Sequence, residues 1–251
     1  MKYQGNKNRY KIRETENLNE IEKNEIEKNI HVIWKGENPP ECYHKEIFDW
    51  VSYSGLDWTI YGWRDENIQL LKESVDDYGK KIFEVAESMK EIAAYVDVIR
   101  LYIVYLYGGY YFDADFEVYR GLSELSHVDA DFIFCNSTDY YYPSISNCFF
   151  AAKKKHPFLK FCLDCLIDKY EKNAMEDWII TRTGPIFFGY AYISYKGEIN
   201  PLMLQMYYFY ASKKGDVYID ADGNYKTIEE DNNKSFAKHL FNSNGTYKNF
   251  D

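Results

Sequence analysis

Two aspartates, Asp113 and Asp115, follow directly after an aromatic run at residues 110–112. Successive side chains of an extended chain point to opposite sides, so these two carboxylates lie on the same side and can reach one ion. Carboxylate oxygens are ligands that Mg²⁺ and Mn²⁺ accept in proteins. The pair therefore predicts a divalent-metal site at the end of a strand.

The segment before these aspartates, residues 91–107, is apolar or aromatic at fourteen of its seventeen positions. It is too long for one strand and apolar nearly all round, which predicts a buried helix. Its only interior charges, Asp97 and Arg100, are three apart and share a face. Because buried charges are costly unless they are paired or used, two interpretations stay open. The two residues form an ion pair with each other, or both point into a polar pocket beside Asp113 and Asp115.

The combined pattern A-Y-V-D-V-I-R-L-Y-x-V-Y-x-Y-G-G-Y-Y-x-D-x-D resembles the central motif of glycosyltransferase family 32, the sugar transferases with a DXD sugar-binding region. The glucosyltransferase domains of large clostridial toxins share a related core. The anchored positions are Asp97, Arg100, Gly108, Gly109, Asp113 and Asp115. The resemblance implies a GT-A fold, a nucleotide-sugar donor, a divalent cation and retention of the anomeric configuration.

The same resemblance assigns roles to the four charged residues of the motif, which are the candidate catalytic residues. It makes Asp115 the direct metal ligand, and Asp113 a contact to ribose, sugar hydroxyls or the metal through water. It makes Asp97 and Arg100 the residues that hold donor hydroxyls. No residue of the sequence is required as a nucleophile, and a front-face mechanism fits the family's retaining outcome.

Residues 29–36, N-I-H-V-I-W-K-G, are predicted to form the first core strand and are similar to the family's opening I-H-x-I-W-x-G strand. The resemblance places Trp34, with Ile33 beside it, at the nucleotide, where an indole can stack on uracil. Without the resemblance Trp34 is more simply a core side chain. We interpret His31 as a hydrogen-bonded structural residue rather than a metal ligand.

Two later segments also resemble the family. Thr183-Gly184-Pro185 matches its T-G-P loop, in which Gly184 lets the backbone approach the donor closely. Residues 236–247 are similar to its closing H…G-S-W, with Thr in place of Ser and Tyr in place of Trp. We predict that His239 or a neighbouring polar group completes the metal shell, and an imidazole tilts the choice from Mg²⁺ to Mn²⁺. We further predict that residues 238–247 form a loosely tethered flap over the donor.

Strands and helices alternate along the chain up to the two aspartates, a pattern typical of α/β domains that bind ligands at the carboxyl ends of strands. We predict a single α/β domain over residues 30–251, with a GT-A-type, Rossmann-like mixed sheet flanked by helices. Later strands are predicted at 132–135, 146–152 and 202–210, and a hairpin at 215–225. Residues 1–29 are highly charged with a thin apolar stripe, which predicts a helical N-terminal arm.

Composition bounds the partners. The chain of 251 residues has a formal net charge of −10, so it repels phosphate backbones and nucleic acid is an unexpected partner. Its five cysteines are odd in number and stand at no zinc-finger spacing, which favours reduced thiols in a cytoplasmic protein. No secretory signal or membrane-spanning run is present. Peripheral association with the inner face of the membrane stays open, because many sugar transferases act on lipid-linked acceptors.

The sequence therefore predicts a metal-dependent retaining glycosyltransferase. It would move a hexose from a nucleotide sugar, a UDP-sugar foremost, to a glycan or glycolipid acceptor in surface polysaccharide synthesis. One alternative is a toxin-like effector that glycosylates a host protein. A phosphatase of the haloacid-dehalogenase type also has a strand ending in D-x-D, but Glu117 occupies its Thr or Val position. A non-catalytic sugar-nucleotide-binding module is the last alternative, and metal-dependent release of sugar would exclude it.

Overall fold

The computed structural model describes residues 13–14, 26–136, 144–210, 214–219, 224–230 and 234–240. Within these ranges the helices are α1 (Glu41–Ser54), α2 (Asp65–Ser74), α3 (Asp77–Glu87), α4 (Ile92–Tyr107), α5 (Pro157–Glu171), α6 (Ile179–Arg182) and α7 (Pro185–Ser194). The strands are β1 (Arg13–Glu14), β2 (Asn29–Ile33), β3 (Thr59–Trp63), β4 (Gly109–Phe112), β5 (Phe116–Val118), β6 (Phe132–Asn136), β7 (Ile145–Ala152), β8 (Pro201–Leu204), β9 (Val217–Ile219), β10 (Tyr225–Thr227) and β11 (Ala237–His239).

Seven strands form the main sheet in the order β1-β8-β6-β7-β4-β2-β3. Strand β2 runs parallel to β3 and β4, and β8 runs parallel to β6 and β1. Strand β7 runs antiparallel to both β4 and β6. The link from β6 to β7 is shorter than the dozen residues that a parallel crossover needs, so β7 reverses direction. The expected mixed α/β sheet flanked by helices is confirmed.

Strand β4 separates two hydrophobic layers, and its alternation decides where the aspartates point. Tyr111 packs on the layer that contains α4, whereas Tyr110 and Phe112 pack on the layer that contains Trp50 of α1. All three aromatic side chains are fully buried. Asp113 has the same parity as Tyr111, so it leaves the sheet on the side of α4.

Helix α4 is the buried helix predicted from its apolar run, and its end is confirmed at the Gly108-Gly109 pair. The Gly108 N–H donates to the Val104 carbonyl at 2.8 Å, which closes the last turn. Gly108 has φ +66° and Gly109 has φ +108°, the left-handed region that a side chain disfavours. A Cβ on Gly109 would also collide with the Asn29 backbone of β2. The two glycines therefore allow the chain to pass directly from α4 into β4.

Three predictions of local structure are wrong at described residues. The strand predicted over 202–210 ends at Leu204, and a 3₁₀ turn over Met206–Tyr208 turns Tyr208 into the core. In the predicted helical arm, Arg13 and Glu14 form a two-residue edge strand, because β8 offers an open edge to parallel pairing. The rest of residues 1–25 lies outside the described residues.

The predicted hairpin is present as β9 and β10, but its turn at 222–223 also lies outside the described residues.

The third correction concerns the predicted flap. Strand β11 pairs antiparallel with β5, placing Ala237 opposite Val118 and His239 opposite Phe116. Phe236 is fully buried and stacks on Tyr208 and Phe209, so this segment is anchored rather than loosely tethered. The remaining flap residues, 241–247, lie outside the described part of the chain.

Candidate active site

Asp113 and Asp115 follow the carboxyl end of β4. This strand lies in the sheet between β7, which is antiparallel to it, and β2, which is parallel to it. The Asp113 backbone N–H donates to the Cys148 carbonyl of β7 at 2.9 Å, which continues the antiparallel ladder one residue past the strand. The Tyr111 hydroxyl donates to Asp113 Oδ1 at 2.7 Å. Asp113 is thus held by its own strand and by the neighbouring one.

Arg100 links the two pairs of charged residues that the sequence singles out. Its Nη1 lies 3.0 Å from Asp113 Oδ1, and its Nη2 lies 3.1 Å from Asp97 Oδ1. Nη1 also donates to the Asn147 carbonyl of β7, and the guanidinium stacks over the Tyr111 ring. Arg100 therefore pairs with Asp97, as one interpretation of the buried charges expects, and it also contacts Asp113.

Asp97 is a buried carboxyl group whose two oxygens accept several hydrogen bonds. Asn147 Nδ2 donates to Oδ1 and Thr183 Oγ1 donates to Oδ2, each at 2.7 Å. Burial raises the pKa of Asp97 to about 6, although Arg100 and Thr183 act in the opposite direction. Burial alone would lower the pKa of Arg100, but the neighbouring Asp113, Tyr111 and Asp97 together outweigh it and the pKa is raised.

Asp113, Asp115 and His239 form the cluster that fits a divalent cation. One oxygen of each carboxylate and one imidazole nitrogen lie within 4.8 Å of one another. His239 Nε2 lies 2.9 Å from Asp115 Oδ1 and 3.9 Å from Asp113 Oδ2. Backbone hydrogen bonds hold this arrangement, since the Leu240 N–H donates to the Asp115 carbonyl at 3.0 Å. Two carboxylates and an imidazole suit Mn²⁺ better than an all-oxygen set would.

The proposed nucleotide-binding residues at the end of β2, Ile33 and Trp34, differ in what they can offer a ligand. Ile33 is buried in the core, so only its backbone is available to a ligand. Trp34 is half-buried beside Tyr43, with the ring centroids 6.3 Å apart. Its indole Nε1 is buried, with no hydrogen-bond partner among the described residues. A cavity of about 210 Å³ opens beside the next residue, Lys35; its lining includes Asp65, Lys72, Glu87 and Tyr95.

The T-G-P loop contributes to the site through Thr183 rather than through a visible contact of Gly184. Gly184 precedes α7, and a Cβ there would lie 2.9 Å from the Ile180 Cα of α6. The glycine therefore permits close packing of α7 on α6. That packing places the Thr183 hydroxyl on Asp97, 2.7 Å away.

Several site residues escaped sequence reasoning. Asn147 lies on β7, and nothing in the sequence showed that its amide reaches Asp97. Glu46 of α1 carries no sequence signal of a special role, yet it is fully buried and accepts a hydrogen bond from the Phe116 N–H. Burial raises the pKa of Glu46 well above its usual range, and Asp115 and Asp113 add to the increase.

His31 is a hydrogen-bonded structural residue, as expected. Its Nε2 donates to the Gly108 carbonyl at 2.8 Å, and its Nδ1 accepts from Trp63 Nε1 at 3.1 Å. This pattern fixes the neutral tautomer, and burial lowers the pKa of His31 to about 4. His31 therefore ties β2 to the end of α4, and it is not part of the cluster of Asp113, Asp115 and His239.

Comparison with known proteins shows which family the chain resembles. Residues 13–137 match the family described as "Glycosyltransferase sugar-binding region containing DXD motif". "Inositol phosphoceramide mannosyltransferase 1" of Schizosaccharomyces pombe (strain 972 / ATCC 24843) is 28% identical over 180 residues, which cover 70% of this chain and 53% of the relative. The chain thus spans about half the length of that relative.

The fold also has a counterpart among solved structures. "PaToxG Glycosyltransferase" is similar with a TM-score of 0.52 and 21% sequence identity, covering 66% of this chain and 67% of that chain. At that identity the likeness shows the fold, which is that of GT-A glycosyltransferases. No helix in the described ranges is both long and apolar enough to cross a membrane. With its DXD aspartates at the end of β4 and its sugar-binding region matched, the chain belongs to the family of glycosyltransferases that carry the DXD motif.

Proposed function

We propose that this glycosyltransferase is a metal-dependent, retaining hexosyltransferase that uses a nucleotide sugar. One observation carries the proposal: Arg100 contacts Asp97 and Asp113 at once, while Asp113 shares a cluster with Asp115 and His239. Groups suited to sugar hydroxyls and groups suited to a cation are therefore parts of one connected site. A donor with a sugar at one end and a diphosphate at the other matches such a site.

Asp115, Asp113 and His239 would hold the divalent cation. A bound Mn²⁺ or Mg²⁺ would act as a Lewis acid on the departing diphosphate. Arg100 engages Asp113 Oδ1, so it orients this carboxylate and leaves Oδ2 on the side of His239. The Tyr111 hydroxyl donates to the same Oδ1 and strengthens that orientation.

The donor sugar would contact Asp97 and Arg100, and the nucleoside would lie near the end of β2. Trp34 offers an indole for stacking on a base, with the Ile33 backbone beside it. The cavity at Lys35 has room for a planar base and presents both basic and acidic side chains to it. A UDP-sugar is the donor we propose first. Gly184 would shape the loop that brings Thr183 to this part of the site.

The acceptor we propose is a glycan or a glycolipid, in the synthesis of a surface polysaccharide. Support comes from the Schizosaccharomyces pombe relative, whose name specifies transfer of mannose to inositol phosphoceramide. Mannose is thus a hexose to test beside glucose and galactose. A lipid-linked acceptor would place the enzyme in the cytoplasm, peripherally at the inner face of the membrane.

A donor panel tests this function. The full chain is incubated with UDP- and GDP-hexoses plus Mn²⁺, with and without lipid-linked acceptors, and release of nucleoside diphosphate is measured. We expect release from one donor, its loss in Asp115→Asn, and an anomeric NMR signal of retained configuration in the product. Binding of a donor without any release, across the whole panel, would instead identify a non-catalytic sugar-nucleotide-binding module.

A further inference from the structure

Glu46 of α1 is fully buried, and its carboxyl group contacts the backbone of the residue that follows Asp115. Its Oε2 accepts a hydrogen bond from the Phe116 backbone N–H at 3.1 Å, and its Oε1 accepts one from Trp50 Nε1 at 3.2 Å. No Lys or Arg of the described residues pairs with it. Because a buried acidic group without a cationic partner is costly, a neutral side chain would suit stability better at this position.

Phe116, the residue that Glu46 holds, connects the candidate metal ligands. It follows Asp115 directly, and it is opposite His239 in the pairing of β5 with β11. The Leu240 N–H already donates to the Asp115 carbonyl on the β11 side of the chain. The Asp115 carbonyl and the Phe116 N–H belong to one trans peptide unit and point in opposite directions, so the Phe116 N–H faces away from β11 and towards α1. Glu46 meets it there.

We propose that Glu46 is a positioning residue for the metal site, acting through the Phe116 backbone on Asp115 and His239. The inference rests on the proposed function, because it requires that these two residues bind a divalent cation. Glu46 touches neither of them and no reacting group. By holding Phe116 it fixes the turn between β4 and β5, which sets the direction of the Asp115 side chain. It also holds β5 in place, and β5 is the strand with which β11 pairs to bring His239 opposite Phe116.

The electrostatic surroundings agree with this position. Asp115 and Asp113 both contribute to the raised pKa of Glu46, so Glu46 lies within electrostatic range of both carboxylates. A purely structural alternative is that Glu46 only accepts the hydrogen bond of a buried backbone N–H at the edge of β5. The two readings differ in one measurable respect, because only a positioning residue changes cation affinity beyond its effect on stability.

Matched variants separate the two hydrogen bonds. Glu46→Gln keeps the size of the side chain but has only one acceptor oxygen. Its NH₂ group, a donor, would therefore face another donor, either the Phe116 N–H or Trp50 Nε1. Trp50→Phe removes the indole donor alone and leaves the bond from Glu46 to Phe116. The double variant Glu46→Gln/Trp50→Phe frees the glutamine oxygen to accept from Phe116. Glu46→Met/Trp50→Phe has a similar volume and no comparable acceptor.

The experiment titrates each full-length variant with Mn²⁺ alone, follows free Mn²⁺ by EPR, and records the melting temperature separately. We expect Glu46→Gln to raise the Kd for Mn²⁺ about 10-fold or more, the range typical of groups that orient metal ligands. Trp50→Phe should lower the melting temperature with little change in Kd. Glu46→Gln/Trp50→Phe should bind as Trp50→Phe does, whereas Glu46→Met/Trp50→Phe should bind weakly.

The outcomes distinguish this inference from the proposed function. A wild-type chain that binds no Mn²⁺, or an Asp115→Asn variant that binds as well as wild type, would overturn both. If Asp115→Asn loses Mn²⁺ while Glu46→Gln keeps the wild-type Kd, only the role of Glu46 is wrong. Should Glu46→Gln fail to fold, the two double variants decide, because equal Kd values for them would overturn the inference.

Discussion

His239 Nε2 lies 2.9 Å from Asp115 Oδ1, although one residue follows β4 and the other belongs to the last strand described. The contact exists because β11 pairs with β5 and places His239 opposite Phe116. An imidazole delivered by a paired strand is held more firmly than one on a free loop. The cation site we propose therefore depends on a C-terminal strand that is remote in sequence from the DXD motif.

The first prediction concerns the cation ligands. Asp115→Asn should abolish detectable sugar transfer, and His239→Ala should raise the Mn²⁺ concentration for half-maximal activity about 10-fold, because each removes one donor atom from the cluster. Chelator should abolish sugar transfer by the wild-type enzyme, and added Mn²⁺ should restore this activity. Asp129→Asn, a change remote from this cluster, is the control. Full transfer in the presence of chelator would contradict the cation role.

Sequence reasoning reached the parts of this site that are local in the chain. The apolar run of α4, the stop at Gly108 and the strand before Asp113 each depend on a few neighbouring residues, and each is present. Propensity and periodicity describe such segments well, because their backbone is determined by their own side chains.

Contacts between segments that are distant in sequence could not be predicted from propensity and periodicity. Nothing in the sequence places Asn147 and Thr183 on Asp97, since these contacts depend on how β7 and α7 pack against α4. The anchoring of β11 was missed because Glu229 to Lys234 looks weakly apolar, although the next residues, among them Phe236 and Ala237, are fully buried. Tertiary packing overrode the local pattern at this point.

The second prediction concerns the bridge made by Arg100. Arg100→Lys should lower kcat/KM about 10- to 100-fold, because a lysine ammonium cannot contact Asp97, Asp113 and the Asn147 carbonyl together. Steady-state kinetics with the active donor measures the change, and a thermal melt of the same preparation shows whether the fold persists. A lysine variant with wild-type kcat/KM would show that charge alone suffices.

The third prediction concerns donor binding. Trp34→Ala should weaken UDP binding by about 1–3 kcal/mol, the usual value of one stack between a base and an aromatic ring. Isothermal titration of UDP in the presence of Mn²⁺ measures this loss. Trp178→Ala is the matched control, since this tryptophan is 51% exposed and lies before α6. An equal effect of both changes would contradict a specific stack on Trp34.

The fourth prediction concerns pH. Burial raises the pKa of Asp97 to about 6 from its ordinary value of 3.8. The folded chain therefore binds this proton more tightly than the unfolded chain, and stability falls as pH rises between about 4 and 6. The loss is on the order of 3 kcal/mol, and it levels off above pH 6.

Asp97→Asn removes this titration. The free energy of unfolding of wild type, relative to that of Asp97→Asn, should decrease from pH 4.5 to pH 6.5 and then stay level; urea unfolding at several pH values measures it. If an ionised Asp97 holds a donor hydroxyl, wild-type kcat/KM should also rise up to about pH 6. A constant difference in the free energy of unfolding between the two proteins from pH 4.5 to pH 6.5 would show that the pKa of Asp97 is not raised into this range.

The last prediction concerns the anchor of β11. Phe236 is fully buried against Tyr208 and Phe209, its N–H donates to the Tyr208 carbonyl at 3.1 Å, and the Arg120 guanidinium lies 4.1 Å from its ring centroid. Phe236→Ala should lower the free energy of unfolding by about 3–5 kcal/mol, as for other buried phenylalanines. It should also weaken Mn²⁺ binding, because β11 carries His239. His239→Ala, the control, should weaken Mn²⁺ binding with a smaller loss of stability. A chain truncated after Ser235 that melts at the wild-type temperature would refute the anchoring role and restore the picture of a loose terminal flap.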